Sequence, residues 1–382
     1  MLNAGEREYV RGMKRKDRGD LGKILVNPKA KTIPLRIKLL QSHLPEALKM
    51  QMFHELSHAV NDKYLQWCLK MLRMPLGVYH FLPVASGGIS KALVQAKEVM
   101  DASIIGQDLA KREVLKIVQQ AIQHPTESPT SYVLGLEGKP GCGKTQFVRK
   151  AMAAALGRPV ISVPLGGASD GSSFLWGHSY SYEGSKEGRL AGGLIEVGCC
   201  NPIVHFDEVD KVFERDRGGA EIISSLIHLV DPSSNAHLRD RYLHGLDIDF
   251  SKCIFVFSYN HPEKINPVLL NRIKRIAFDV PTKEQKKEIV TKQILPRVQK
   301  RLGTTITLKD DAIELLLEAT AGDEGLRDLE KSVDHVVSCA NLQQCMRGEA
   351  FGEVTVAMAR ESLQEMSNTT ETTPPPPPNM YS

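Results

Sequence analysis

Gly138-Lys139-Pro140-Gly141-Cys142-Gly143-Lys144-Thr145 sits between an apolar run, Tyr132 to Leu136, and a helix-like stretch from Gln146 to Leu156. A glycine-rich turn so placed lets successive backbone N–H groups face one anion, and the start of the following helix adds its partial positive charge. Gly138, Pro140, Gly141, Cys142 and Gly143 would form the cradle. The Lys144 ammonium would reach the β- and γ-phosphates of a nucleotide, and the Thr145 hydroxyl would take the Mg²⁺ that bridges them. Cys142 is either a thiol whose alkylation would block the loop or a small inert filler.

Breaking a phosphate bond also needs a second metal partner and a group that orients water. Ile203-Val204-His205-Phe206 ends in Asp207-Glu208, two carboxylates at the carboxyl end of an expected buried strand. Ligands of open parallel sheets collect at that end. Asp207 suits Mg²⁺ through its water shell, and Glu208 suits a base that polarises the attacking water. A third apolar run, Cys253 to Ser258, leads to Asn260, whose amide could hold that water and sense the terminal phosphate. Arg272 and Arg327 carry guanidinium forks that match phosphate oxygens and stay charged, so either could stabilise the transition state.

These residues need a frame. Tyr132 to Leu136, Val160 to Val163, Ile203 to Phe206, Cys253 to Ser258 and Ile276 to Phe278 alternate with helical stretches, the pattern of a parallel sheet with crossover helices. Before them, apolar residues at three and four spacing from Ile37 to Met71 predict two or three packed helices, and Ile89 to Gln123 is helical again around a break at Ile104-Ile105-Gly106-Gln107. After Pro281, Lys283 to Leu302, Lys309 to Thr320 and Leu326 to Met346 read as a helical lid. The fold class expected is α/β, a P-loop NTPase sheet with flanking helices, a helical segment before it and a helical lid after it. Its expected parts are a flexible basic arm (1–34), a helical segment (35–80), the nucleotide-binding domain (81–282), the lid (283–366) and a disordered proline-rich tail (367–382).

A chain of 382 residues that is 42% hydrophobic can build ordinary cores. The first twenty residues hold no apolar signal region, and no apolar run approaches a bilayer span, so neither secretion nor membrane insertion is expected. Seven cysteines without a C-x-x-C pair fit reduced thiols, pointing to the cytoplasm, with the nucleus as the alternative. A net charge of +4 does not argue for nucleic acid. Lys14, Arg15, Lys16 and Arg18 read as a solvated arm, although such a cluster also suits a nuclear address or a nucleic-acid contact.

Taken in order, these features resemble an AAA+ ATPase and, in detail, the ATPase portion of Lon-type proteases. The resemblance lies in Gly166-Gly167-Ala168-Ser169-Asp170, Gly177-His178, Ser181-Tyr182-Glu183-Gly184, Asp207-Glu208-Val209-Asp210-Lys211, Leu229-Val230-Asp231-Pro232, Asn235, Tyr242-Leu243 and Asp249-Phe250-Ser251. It runs from about Pro34 to Met366 and includes Tyr64-Leu65-Gln66-Trp67. It implies Walker A at Lys144 and Thr145, Walker B at Asp207 and Glu208, sensor 1 at Asn260, an arginine finger at Arg272 and sensor 2 at Arg327. Ile105 and Gly106 resemble the segment that packs on adenine. A finger acting in trans implies a homo-oligomeric ring, a hexamer, with each nucleotide at a subunit boundary. Tyr182 falls at the pore-loop aromatic that grips protein substrates.

The sequence also departs from that pattern. Where family members follow the aromatic with an apolar residue and a small-Met-Pro-Gly turn, this chain has Glu183-Gly184-Ser185-Lys186-Glu187-Gly188. The residues end shortly after the lid, so peptidase activity is not expected of them. The function expected is an ATP-hydrolysing, protein-remodelling motor of chaperone type. The alternatives are a nucleotide-switched scaffold, a DNA-associated ATPase, or the motor subunit of a two-chain protease with a separate peptidase. His54-Glu55-Leu56-Ser57-His58 matches the H-E-x-x-H zinc pattern, but no G-x-x-H follows, and His80 and Glu98 fall in a linker and another helix. The match is read as chance.

Overall fold

Leu48 and Met52, and Trp67 and Met71, stand four residues apart and are all buried. That spacing puts each pair on one helix face. Three helices result, Leu35–Gln41, Glu46–Glu55 and Asp62–Arg73. Trp67 donates its indole N–H to the Tyr242 carbonyl at 2.8 Å. Left without a partner, that buried donor would cost about 1–3 kcal/mol. The computed structural model describes residues 35–56, 62–82, 88–123, 132–167, 171–182, 184–214, 217–322, 324–348 and 352–371. The basic arm, His58, residues 168–170, Glu183 and the proline-rich end from residue 372 lie outside the described residues.

The chain falls into two compact units, each with its own apolar core. The first comprises the described residues within 35–92, 117–135 and 156–275, and the second those within 93–116, 136–155 and 276–371. Buried Phe206, Phe255, Phe257 and Leu226 belong to the core of the first; Val290, Leu316, Val333 and Val337 belong to that of the second.

Strands β1 (Tyr132–Glu137), β2 (Val160–Pro164), β3 (Ile203–Asp207), β6 (Ile254–Tyr259) and β7 (Lys274–Ala277) make a five-stranded parallel sheet of order β2-β3-β6-β1-β7. Val160 pairs with Ile203, and Ile203 with Ile254. Every residue of β6 and the first four of β3 are buried, as a parallel sheet covered on both faces requires. Parallel neighbours cannot be joined by tight turns, which is why helices intervene between them. Between β3 and β6, the short antiparallel pair β4 (Leu238–Arg239) and β5 (Asp247–Ile248) has no counterpart in the sequence expectation, because two-residue strands carry no periodicity.

Lys283 to Leu302, expected as one helix, is interrupted. An α-helix, Lys283–Ile289, gives way to a π turn at Val290–Ile294 and resumes at Leu295–Leu302. Pro296 has no N–H to donate, and the wider turn just before it accommodates the missing bond. Thr282 starts this stretch with a reciprocal cap: its hydroxyl accepts from Gln285 N at 3.3 Å while Gln285 Oε1 accepts from Thr282 N at 3.0 Å. The helices Asp310–Ala319, Arg327–Arg347 and Val356–Glu371 complete the lid, with β8 (Thr307–Leu308) pairing parallel to β9 (Glu353–Val354). The last helix runs through Glu371, past residue 367, where the sequence expectation starts the tail. No proline or glycine falls between Val356 and Glu371 to stop it. Among the described residues no helix is long and apolar enough to cross a membrane.

Candidate functional site

In the second unit, the loop that follows β1 turns through Gly141 and Gly143, both left-handed with φ of +79° and +95°. Side chains other than hydrogen resist that conformation, so the glycines permit the turn. The helical run that begins at Lys144 follows at once. Lys144 is buried, and its ammonium donates to the carbonyls of Gly138 at 2.5 Å and Lys139 at 2.9 Å. The charge is thereby fixed within the loop. Cys142 is buried and donates to the Lys139 carbonyl at 3.0 Å. Burial pushes its thiol up despite the neighbouring Lys144 ammonium, so it stays protonated and fills space.

The lid meets this loop directly. Leu326 N donates to the Gly141 carbonyl at 3.2 Å, and a Cβ placed on Gly325 would stand 2.6 Å from the Pro140 carbonyl oxygen. Lys139 forms an ion pair with Glu324. Arg327 opens its helix here, its Cγ 3.4 Å from the position a Gly141 Cβ would take. Ile105 packs against the lid core, and Gly106, with φ of +72°, lies against the Gln285 amide. Gln107 donates to the Asp279 carbonyl at 2.9 Å. The structure thus gathers the phosphate loop with Arg327, and Ile105 and Gly106 with the start of the lid.

The carboxylates belong to the first unit. Asp207 closes β3, and its Oδ1 accepts from the Ser258 hydroxyl at 2.6 Å and from Glu208 N at 3.1 Å. His205 Nε2 lies 2.9 Å from that same hydroxyl. Because the hydroxyl proton goes to Asp207, the ring N–H is the donor to Ser258. Glu208 sits at φ +59°, a strained conformation that costs about 1–3 kcal/mol and is common at functional sites. Its Oε1 pairs with Lys211 at 2.7 Å, and its Oε2 lies against Gly166, where any Cβ would collide. Asp210 is buried and accepts from the backbone of Asn260 at 3.0 Å and His261 at 3.1 Å. It ties the segment after β3 to the tip of β6. Sequence reading had no signal for Ser258 as a support, and Asp210 entered only as part of a motif.

Arg272 points its Nη2 at Asp231 Oδ2, 2.7 Å away, and its Nη1 at the Val268 carbonyl, 3.5 Å away. The Asp231 carboxyl is held down to about 2, first by the hydroxyl and N–H of Ser233 and then by Arg272. It is therefore ionised at any physiological pH.

Tyr182 is 67% exposed at the head of a turn in which its N–H donates to the Ser179 carbonyl at 3.1 Å. The base of the turn is anchored by rings. Tyr180 stacks on His244 at 4.8 Å, and His244 stacks on Trp67 at 4.9 Å. On the far side, Glu187 pairs with Lys70, and Gly188 N donates to Asp240 at 2.8 Å. Asp240 also accepts from the backbone of Tyr242 and Leu243 at 2.9 and 3.0 Å.

Burial raises the Asp240 carboxyl to about 6, the Glu187 charge adding to the rise. The native state therefore keeps a proton at pH 5 that the unfolded chain, titrating near 4, has released. Stability should rise as pH falls from 7 to 4, with this group contributing roughly 3 kcal/mol across the window. Urea unfolding midpoints measured at pH 7 and pH 5 check this, and Asp240→Asn should flatten the dependence.

Residues 134–280 match the family of ATPases associated with various cellular activities, AAA. Relatives of similar sequence include a Lon protease homolog of Acanthamoeba polyphaga mimivirus, 35% identical over 66% of this chain and 25% of its own length. The chain carries a Lon-like AAA+ module. A peroxisomal Lon protease homolog 2 of Arabidopsis thaliana is 32% identical over 63% of the chain and 27% of its own length. A mitochondrial Lon protease homolog of Scheffersomyces stipitis is 28% identical over 82% of the chain and 28% of its own length. The chain thus spans about a quarter to a third of the curated relatives it matches.

Proposed function

We propose that this AAA+ module binds ATP with Mg²⁺, hydrolyses it as one subunit of a homo-oligomeric ring, and uses the cycle to remodel a polypeptide gripped through Tyr182. The observation that carries the nucleotide reading is the meeting of the glycine loop with the Arg327 helix start, sealed by the bond from Leu326 N to the Gly141 carbonyl. That meeting supports a reading in which the Lys144 ammonium, the Arg327 guanidinium and the helix start act on one anion.

The Thr145 hydroxyl and the Asp207 carboxylate, the residues this reading assigns to the cation, are each oxygen donors, the class that fits Mg²⁺ and not a soft metal. Bound with ATP, that ion supplies neutralisation of the phosphate charge. Lys144 orients the outer phosphates. Asp207 is aimed by the Ser258 hydroxyl and the Glu208 N–H, both of which donate to its Oδ1. Glu208 takes the proton of the attacking water, and Asn260, its backbone fixed by Asp210, positions that water. Arg327 senses the bound phosphate from the lid, and Ile105 and Gly106 pack on the base. Arg272 acts on the nucleotide of a neighbouring subunit.

The exposed ring of Tyr182 on an anchored turn favours a protein substrate over DNA, since an aromatic edge can intercalate between side chains without reading sequence. Unfolded protein should stimulate ATP turnover several-fold. Tyr182→Ala should lose that stimulation, and Tyr182→Phe should keep it. Stimulation by DNA with none by unfolded protein would reverse the assignment in favour of a DNA-associated ATPase.

A further inference from the structure

The Arg327–Arg347 helix carries His335 and Cys339 one turn apart, on one face. The Val356–Glu371 helix packs along it and brings Glu365 to the same place. Cys339 Sγ lies 3.6 Å from His335 Nε2 and 4.0 Å from Glu365 Oε2, and the three donor atoms all lie within 4.8 Å of one another. None of the three belongs to the nucleotide chemistry above.

We propose that His335, Cys339 and Glu365 bind a zinc-class divalent cation that ties the Val356–Glu371 helix to the Arg327–Arg347 helix. A tetrahedral zinc about 2.3 Å from sulfur and about 2.05 Å from nitrogen holds those two donors about 3.6 Å apart. The His335–Cys339 spacing equals that figure, and the Cys339–Glu365 spacing exceeds the matching sulfur–oxygen value by a few tenths of an ångström. One sulfur, one imidazole nitrogen and one carboxylate oxygen suit a borderline-soft ion and exclude Mg²⁺ and Ca²⁺, which take oxygen shells. Three protein donors leave the fourth position to water; without metal, His335 Nε2 donates to the Ser362 carbonyl at 3.1 Å, and ligation requires the tautomer that carries its proton on Nδ1.

Binding forms a sulfur–metal bond and breaks the S–H bond, the proton passing to solvent, so zinc uptake releases one proton per thiol. Because that proton is released, affinity should fall as pH is lowered. The competing account is a plain hydrogen-bonded trio in which the thiol stays protonated.

The test uses the full chain purified without a histidine tag and titrated with Zn²⁺ and, separately, Co²⁺. One equivalent of zinc should bind, and cobalt should give a thiolate charge-transfer band with visible ligand-field bands. Cys339→Ser should abolish the band, Cys345→Ser should leave it, and Glu365→Gln, a change at an exposed position, should weaken zinc binding at least about tenfold. Zinc should raise Tm in the parent chain and not in Cys339→Ser. His58→Ala should leave metal content unchanged. A parent chain that gives no thiolate–cobalt band would overturn the proposal. So would zinc that persists in Cys339→Ser and Glu365→Gln proteins whose melting in chelator matches the parent, or zinc that disappears in His58→Ala.

Discussion

Glu208→Gln is expected to lower ATP turnover by about 10²–10⁴-fold while the nucleotide stays bound. The amide keeps the length and shape of the carboxylate but cannot accept the proton of the attacking water. The backbone that aims it is over-determined: residue 208 is held at φ +59° with its N–H on Asp207 Oδ1 and its carbonyl receiving Lys211 N at 3.1 Å. None of those contacts involves the substituted atom. Only the side-chain pair with Lys211 and the apposition to Gly166 change character. Steady-state hydrolysis beside equilibrium binding of a fluorescent ATP analogue separates the two effects. Turnover near the parent rate would remove Glu208 from the role of base.

Arg272→Ala should cost about 10³-fold or more in turnover, the scale on which an arginine finger acts, with ATP affinity kept within a few-fold. The guanidinium is held within its own chain by ionised Asp231, which leaves its fork preformed for a phosphate presented by a neighbour. Mixing supplies the sharper measurement. Arg272→Ala chains retain Glu208, and Glu208→Gln chains retain Arg272, so a mixed ring contains pockets with both groups intact. Equimolar mixing should restore activity that neither variant shows alone. Failure of the mixture to recover, or an equal loss of ATP affinity in Arg272→Ala, would sink the assignment in trans.

The paired carboxylates and the groups that support them differ in how readable they were. Asp207-Glu208 stood out because a buried strand of apolar residues ended on two acids, a contrast confined to six consecutive positions. The supports that make Asp207 useful were not readable, since Ser258 lies 51 residues later and looks like any small residue ending an apolar run. Asp210 reaches Asn260 across 50 residues through backbone N–H groups, which every residue carries and no pattern advertises. The same holds for Trp67, legible as a core position of a helix, but not as the last ring of the stack through His244 that braces Tyr180.

Helix and strand positions came through for a simple reason: burial on one face imposes a period of 3.6 or 2 on apolar residues wherever the partner is. The π turn before Pro296 and the continuation of the last helix to Glu371 did not, because each depends on how one backbone bond is replaced or on the absence of a breaker.

By itself, the sequence determined the chemistry that is local along the chain. Eight residues from Gly138 to Thr145 contain both the glycines that permit left-handed backbone and the lysine and threonine that follow them, so no distant contact is needed to define the phosphate loop. Tertiary structure alone decided which distant groups meet. It brought the Gly325 turn onto Pro140 and Gly141, Asp231 onto Arg272 across 41 residues, and Glu365 onto Cys339 across 26. Such meetings are set by which faces of packed elements come to oppose one another, a choice that periodicity leaves open because it records that a face is buried and not against what.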